Sequence, residues 1–484
     1  MAPRDLILLA REEVERLDPD ALTAAGLLPR QGLYFPSIYY PPIPMYPRAA
    51  EADLFRDFSY DRTRPCALYV HLPFCRSKCT YCHWVTCSAA PSAAVDDYLR
   101  DLAAEIGLLK RRLGVETLAP HSFLLGGGTP TVLSARQLEG LFQSLEGSLD
   151  LSRCAQITCE AEPGTLLGPE GADRLKVLRE RGVDRLSLGV QSFQDGALAS
   201  MGRRHTASDA VQAIQRVRRA GFPSLSVDLI YGYPGGTIEE WLATLETAVS
   251  QDVDALQLYR LRIVPHGDRP GAIGDTFARE PHRFPPVRET HAMKALGRLV
   301  TREAGLRESC RRVFSKGPSH DSRYLVDHCD RLSDVLGLGV SAWSNLQGRF
   351  YLNTAAGLEQ YGEAVQRGRL PLDRGKVRSR QDHLRHALVL PLKHNGVSRR
   401  RFREATGCLP EEVFPDRLAR LRDFGLVEAD SAGLRLTERG TFFADEVAIQ
   451  FYEPRYLPFP RTAYEEGPLN PYRGEGAQDL AASA

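Results

Sequence analysis

The chain has 484 residues, with 62 lysines and arginines against 61 aspartates and glutamates, a formal net charge of +1. That balance excludes the electrostatic footprint of a nucleic-acid binder or of a protein held to an anionic membrane by charge, and the length suits about two to four domains. No apolar stretch reaches the roughly 18 residues of a spanning helix, and charges run through residues 3–30 where a secretory leader would be apolar, so a cytoplasmic location without membrane insertion is expected.

In chain order, Leu6, Leu8, Leu9, Val14 and Leu17 alternate with charges as in an amphipathic surface helix. Residues 34–47 are rich in proline and tyrosine, which excludes helix and predicts an extended arm. Apolar runs then recur at Cys66–Leu72, Ser122–Leu125, Gln156–Cys159, Asp184–Val190, Leu225–Ile230 and Ala255–Ile263, separated by helical patterns. Such alternation predicts parallel βα units and an α/β fold, a partial (β/α)6 barrel with its site at the C-terminal strand ends. From about Arg380 the pattern becomes helical over 381–394, 398–406 and 410–424, then a hairpin Leu426–Leu436 turning at Asp430-Ser431-Ala432-Gly433, a winged-helix layout. The expected division is a helix and arm over 1–62, the barrel over 63–275, a barrel-covering extension over 276–375, the winged-helix-like domain over 376–455 and a tail over 456–484, disordered beyond Tyr464.

Cys75, Cys79 and Cys82 stand at CxxxCxxC spacing in the loop leaving the first strand. Soft thiolates select zinc or iron–sulfur. Structural zinc asks for four protein ligands, whereas a 4Fe-4S cluster held by three cysteines keeps one iron open to a small molecule. The ten cysteines of a chain this long do not read as a disulfide framework, and a cluster loop needs reduced thiols. The next strand ends carry Gly126-Gly127-Gly128-Thr129-Pro130, where absent side chains let a ligand approach the backbone, and Glu160-Ala161-Glu162-Pro163. Asp228 lies inside an apolar strand and needs a partner there.

The CxxxCxxC loop with Tyr81 before its last cysteine, preceded by Tyr69-Val70-His71-Leu72-Pro73-Phe74, resembles the cluster loop of the radical S-adenosylmethionine (SAM) enzymes. It is most similar to the branch that holds the oxygen-independent coproporphyrinogen III oxidases, the heme chaperones and the class C methyltransferases, and the resemblance covers roughly residues 35–455. It implies a 4Fe-4S cluster on the three cysteines, SAM on the open iron, and reductive cleavage to a 5'-deoxyadenosyl radical fed by a donor such as flavodoxin or ferredoxin. It implies that Gly127, Gly128, Thr129 and Glu160 hold the SAM amino group, that Gln191 and Asp228 hold ribose hydroxyls, and that Arg203 holds the carboxylate. Tyr69, Tyr81 and Trp343 join this cofactor-binding set, Trp343 because Gly337 to Ser344 resembles a segment of the oxidases that touches a second SAM. Glu162 departs from the family's Asn or Asp by one methylene.

Two reactions on a small-molecule substrate compete within this branch. The oxidases typically follow the third cysteine with a CxC pattern, whereas His83 and Trp84 follow Cys82 here and Cys87 comes late. The favoured expectation is therefore methyl or methylene transfer from a second SAM to an sp2 carbon, with His71 or His83 as candidate base, and oxidative decarboxylation is the alternative. A heme-binding chaperone is a third reading, opposed by Trp343 where the chaperones carry histidine. A DNA-binding regulator would need a basic stripe, for which Arg399, Arg400, Arg401 and Arg403 are the only hint.

Overall fold

The computed structural model describes residues 2–29, 34, 39–263, 272–394 and 396–457. Residues 35–38 of the arm, 264–271 at the barrel's end and 458–484 of the tail, with its expected disorder, lie outside the described residues.

Six parallel strands form the centre: β1 (Cys66–Leu72), β2 (Ser122–Gly127), β3 (Ile157–Ala161), β4 (Arg185–Gln191), β5 (Ser224–Tyr231) and β6 (Ala255–Arg260), paired in sequence order. Helices cross between them, and several start where the sequence supplies reciprocal caps: Ser134 with Gln137, Thr206 with Asp209, and Thr237 with Glu240. The helix Ala207–Arg219 buries Ala210, Ala213, Ile214 and Val217, a face at spacings of three and four, against the sheet. Six βα units in this order are the partial barrel that the alternation predicts.

The sheet does not stop there. β7 (Arg307–Cys310) and β8 (Val313–Ser315) extend it antiparallel beyond β6. On the other side β9 (Asp334–Leu338) pairs parallel with β1, and β10 (Trp343–Leu346), β11 (Arg349–Asn353) and β12 (Leu372–Val377) follow as a meander, making twelve strands. The Tyr/Pro-rich arm runs along this edge, where Gly375 N–H donates to Pro47 O at 2.9 Å and Arg374 Nη1 to Tyr46 O at 2.9 Å.

The N-terminal helix, expected from Pro3 to about Arg30, ends at Leu17, because Asp18 turns left-handed and caps a second helix, Pro19–Ala24. Its buried face is Leu6, Ile7, Ala10, Val14 and Leu17, while Leu8 and Leu9 point outward, as a 100° step per residue requires. In the C-terminal domain, helices Arg380–His394 and Arg399–Thr406 precede the hairpin strands Val427–Ala429 and Gly433–Leu436, with Val397–Ser398 as a third strand. The stretch 410–424 breaks into Pro410–Val413 and Pro415–Asp423, since Pro415 lacks an N–H and keeps Phe414 out of the helical region, at φ −130° and ψ 48°. Among the described residues no helix is long and apolar enough to cross a membrane.

Candidate active site

The thiol loop is closed by its own backbone. Phe74 and Cys75 pair in parallel with Cys87 and Ser88, with Cys87 N–H donating to Pro73 O at 2.6 Å. Cys87 is thereby the clasp of the loop, and its side chain does not line the cavity described below. At the tip, Thr80 is pinned by its N–H to Met201 O at 3.1 Å and by its hydroxyl to Tyr233 Oη at 2.5 Å. Cys75, Cys79 and Cys82 are all free thiols at one end of a cavity of about 860 Å³. Burial pushes the Cys75 thiol up to about 12 and raises Cys82, so cations must displace protons from these groups on binding. Among the described residues no His, Cys, Asp or Glu side chains group tightly enough to hold a single ion. A four-iron cluster asks instead for one thiolate per iron, which suits three thiols spread round a cavity end.

The glycine run is zipped onto this loop: Gly128 N–H donates to Leu72 O and Thr129 N–H to Phe74 O, both at 2.8 Å. Thr129 Oγ1 lies 3.7 Å from Cys75 Sγ. Gly127 has φ of +107°, and a Cβ there would sit 2.5 Å from His71 Nδ1. Gly127→Ala should therefore cost about 2 kcal/mol or more, since strain and overlap add. The check is thermal unfolding alongside iron content, and an unshifted midpoint would mean that the loop has more room than this.

Every residue predicted for the site lines this cavity except His71. His71 is 1% exposed, with Nε2 donating to Val85 O at 3.1 Å, which leaves Nδ1 to accept from Tyr69 Oη at 2.8 Å. Burial lowers it to about 4, so it is a neutral strut between β1 and the returning loop. His83 faces Arg262 O at 3.0 Å through Nε2.

Two carboxyls, one on β3 and one on β5 with β4 between them, face the cavity. Glu160 accepts from Gly127 N–H at 3.0 Å and is pushed up to about 7 by burial and by the nearby Asp228 charge. Asp228 finds the partners its strand position requires: Gln257 Nε2 at 2.8 Å and Ser187 Oγ at 3.2 Å, both on Oδ1. Burial raises it to about 6. Behind them Arg185, 2% exposed, leaves Nε and Nη2 without hydrogen-bond partners. Reasoning from sequence passed over Arg185, Gln257 and Tyr259, although residues 185, 187, 189 and 191 share one face by the period of two.

Glu162 has a clear place. Although burial raises it, a hydrogen bond from His205 Nδ1 at 3.1 Å and the Arg203 charge hold its carboxyl below the usual range. Arg203 donates Nη2 to Gly189 O at 2.7 Å and Nη1 to Cys79 Sγ at 3.3 Å, and its buried Nε has no partner. Gln191 stands beside it at a bulge, with φ of +71°, so that its amide folds back over Gly189. An arginine with a spare donor, two carboxyls and a bare backbone run beside three thiols fit a cluster and a zwitterionic ligand that carries a further positive charge.

The rest of the lining differs in character: Tyr34 and Tyr39 of the arm, Tyr452 of the C-terminal domain, and Arg48, Arg312 and Arg374 belong to it. Arg312 stacks on Tyr259 at 4.6 Å and Arg260 on Tyr34 at 5.4 Å, and both Arg260 and Arg262 line the cavity. Trp343 is 4% exposed, donates Nε1–H to Tyr46 Oη at 3.0 Å and packs on Tyr39 at 4.4 Å.

A Radical SAM superfamily model matches residues 69–248 and a HemN C-terminal domain model residues 379–443. The heme chaperone HemW of Haemophilus influenzae is 30% identical over 289 residues, spanning 58% of this chain and 70% of that protein. The anaerobic coproporphyrinogen III oxidase 1 of Cereibacter sphaeroides is 28% identical over 382 residues, 75% of this chain and 81% of that protein. The fold is that of coproporphyrinogen III oxidase HemN from Escherichia coli, with a TM-score of 0.70, 24% identity, and 84% and 93% of the two chains covered. A chain with this sheet, this thiol loop and these relatives belongs to the radical SAM superfamily, which uses a 4Fe-4S cluster and SAM, in the branch of the HemW heme chaperones and oxygen-independent coproporphyrinogen III oxidases.

Proposed function

We propose that the protein is a radical SAM oxidase of a reduced tetrapyrrole with carboxylate side chains, acting as an oxygen-independent coproporphyrinogen III oxidase does. The observation that carries this reading is the composition of one cavity. The thiols and the Glu160, Gln191, Arg203 and Asp228 set share its lining with Tyr34, Tyr39, Tyr452, Arg48, Arg312 and Arg374. Planar guanidinium forks suit carboxylates, and tyrosine faces suit a flat macrocycle. The methyl transfer favoured from the sequence draws no support from the relatives, which are chaperones and oxidases, so the reading moves to its alternative.

Bound together, the cluster on Cys75, Cys79 and Cys82 and SAM supply a carbon radical able to take hydrogen from a side chain. The protein's own part is positional. Glu160 and the Gly127–Thr129 backbone take the SAM ammonium, Asp228 and Gln191 its ribose, and Arg203, braced by Glu162, its carboxylate. His71 and His83 brace the loop, and neither is needed as a base: once the hydrogen atom is gone, the side-chain carboxylate leaves as carbon dioxide and the remaining electron passes to an external one-electron acceptor, so no proton is lost. Arm and C-terminal domain cover the macrocycle and exclude water.

The pH dependence follows from the raised carboxyls. Glu160 and Asp228 must be ionised to meet a cationic ligand, so SAM affinity should rise with pH, by up to about tenfold per unit between pH 6 and 7 and up to about a hundredfold per unit below pH 6, where both hold protons. The ligand-free protein should show the opposite trend. Its folded carboxyls hold protons that the unfolded chain releases, so its stability should fall as pH rises from about 4.5 to 7. Calorimetric SAM titration and melting curves across that range check both signs; a pH-independent SAM affinity would take these carboxyls out of the site.

The direct test is anaerobic incubation with reductant, SAM and coproporphyrinogen III, with mass spectrometry for loss of carbon dioxide and two hydrogens per side chain. SAM carrying a CD3 group, run in parallel, would place deuterium in 5'-deoxyadenosine if methyl transfer were the reaction. The chaperone reading rests on the likeness to HemW, and a heme titration decides it. The Trp343 indole, engaged with Tyr46, cannot ligate iron where the chaperones carry histidine.

A further inference from the structure

We infer that Arg185, Arg312 and Tyr259 form a carboxylate-binding subsite on the inner wall of the cavity, beside the residues that hold the SAM ribose, and that it anchors one side-chain carboxylate of the substrate. This rests on the oxidase reading and assigns the groups that recognise its substrate's acid function.

The first observation is a buried cation kept without a bond. Arg185 opens β4 on the inward face it shares with Ser187 and Gly189, lines the cavity and is 2% exposed. Its Nε and Nη2 have no partner, and its guanidinium makes no hydrogen bond or ion pair among the described residues. Other buried arginines with a spare nitrogen keep at least one partner, as Arg203 does in Gly189 O, Arg298 in Glu308 and Arg378 in Asn345. A buried guanidinium with unmet donors carries a cost that a bound anion offsets.

The second is its companion. Arg312 lines the same cavity, lies over the Tyr259 ring at 4.6 Å and likewise makes no side-chain hydrogen bond or ion pair among the described residues. The Arg185 and Arg312 charges are both felt at Tyr259 and at Asp228, so the two forks converge on one region of the wall. Arg48 and Arg374 differ, because Asp373 stands against both and Arg374 also donates to Tyr46 O at 2.9 Å. Those two cations are answered within the protein.

The third is place. Tyr259 Oη donates to Gln257 Oε1 at 2.9 Å, and Gln257 Nε2 donates to Asp228 Oδ1 at 2.8 Å. The subsite is therefore two hydrogen bonds from the carboxylate assigned to the ribose. Once Asp228 and Glu160 are engaged by SAM, an acid group is the complement that the two arginines lack. A carboxylate held here fixes its side chain next to the ribose end of the cofactor.

The test uses the cluster-loaded full chain at pH 9, well above the values of Glu160 and Asp228, and two probes. Coproporphyrin III, the stable oxidised form of the proposed substrate, is titrated by absorbance. 3-Phenylpropionate is compared with its uncharged amide by saturation-transfer NMR. Arg185→Met and Arg312→Met should each weaken coproporphyrin III binding at least tenfold and remove the preference for the phenylpropionate anion, with iron content unchanged and SAM affinity within threefold. Wild-type affinity for coproporphyrin III in both variants would overturn the subsite. So would a loss confined to SAM affinity, since the arginines would then serve the carboxylate of SAM. If Arg185→Met loses iron or melts early, Arg312→Met decides alone. If the wild type binds no coproporphyrin III, the oxidase reading fails, and the small probes still decide the subsite: an anion preference lost in the variants upholds it, and no preference in the wild type overturns it.

Discussion

Cys75→Ala should remove the brown chromophore and SAM cleavage together, down to the background of reductant alone. Cys75 is the first of only three thiols at the cavity end, half-buried and faced by Thr129, and no other cysteine lines that cavity. A cluster that has lost one of three protein ligands has no fourth to recruit. Cys87→Ala is the matched control, because Cys87 is one strand pairing away from Cys75 yet serves the loop through its backbone. Anaerobic absorbance, iron content and 5'-deoxyadenosine yield should be lost in the first variant and kept in the second. Retained cleavage in Cys75→Ala, or its loss in Cys87→Ala with iron intact, would sink the assignment of the three ligands.

The parallel core was legible because each strand is a short apolar run bounded by a helix with its own cap, as at Thr206 and Thr237. The antiparallel strands β7, β8 and β10 to β12 were not, since strands of three to six residues, half of them polar, carry no period that a sequence window can separate from loop. The site divided along a similar line. The thiols, glycines, Glu160, Gln191 and Arg203 sit in contiguous motifs at strand ends. Arg185 and Gln257 reach the cavity only through the inward face of the sheet, and Arg48, Arg312 and Arg374 only because the arm and the edge strands fold over it. Glu162 looked like a departure from the family pattern. Its extra methylene instead carries the carboxylate to His205 and Arg203.

Asp445→Asn should be the most destabilising of the conservative substitutions outside the cavity, by about 3–5 kcal/mol. Asp445 is 4% exposed and joins three parts of the chain: Lys393 Nζ of the C-terminal domain at 2.8 Å, Arg311 Nε beside the β7–β8 turn at 3.4 Å, and Tyr34 Oη of the arm at 2.8 Å. Removing the one carboxylate strands two buried cations. Tyr34→Phe, which deletes a hydrogen bond but no charge, should cost only about 1 kcal/mol, so the contrast separates the ion cluster from the bond. Lys393→Met added to Asp445→Asn should recover more than half of the loss by removing one stranded charge. Burial and the Arg311 charge already lower Lys393 to about 7 against the Asp445 attraction. Without Asp445 it holds its proton more weakly still, while the unfolded chain keeps that proton to a much higher pH. Stability of Asp445→Asn should therefore climb from about pH 6 to 9, and its deficit against the wild type should shrink up to about pH 7 and stay level above it, where wild-type Lys393 sheds its proton too. Urea midpoints read by fluorescence at several pH values give the slope; a deficit that grows with pH would show that Lys393 is not the group left stranded.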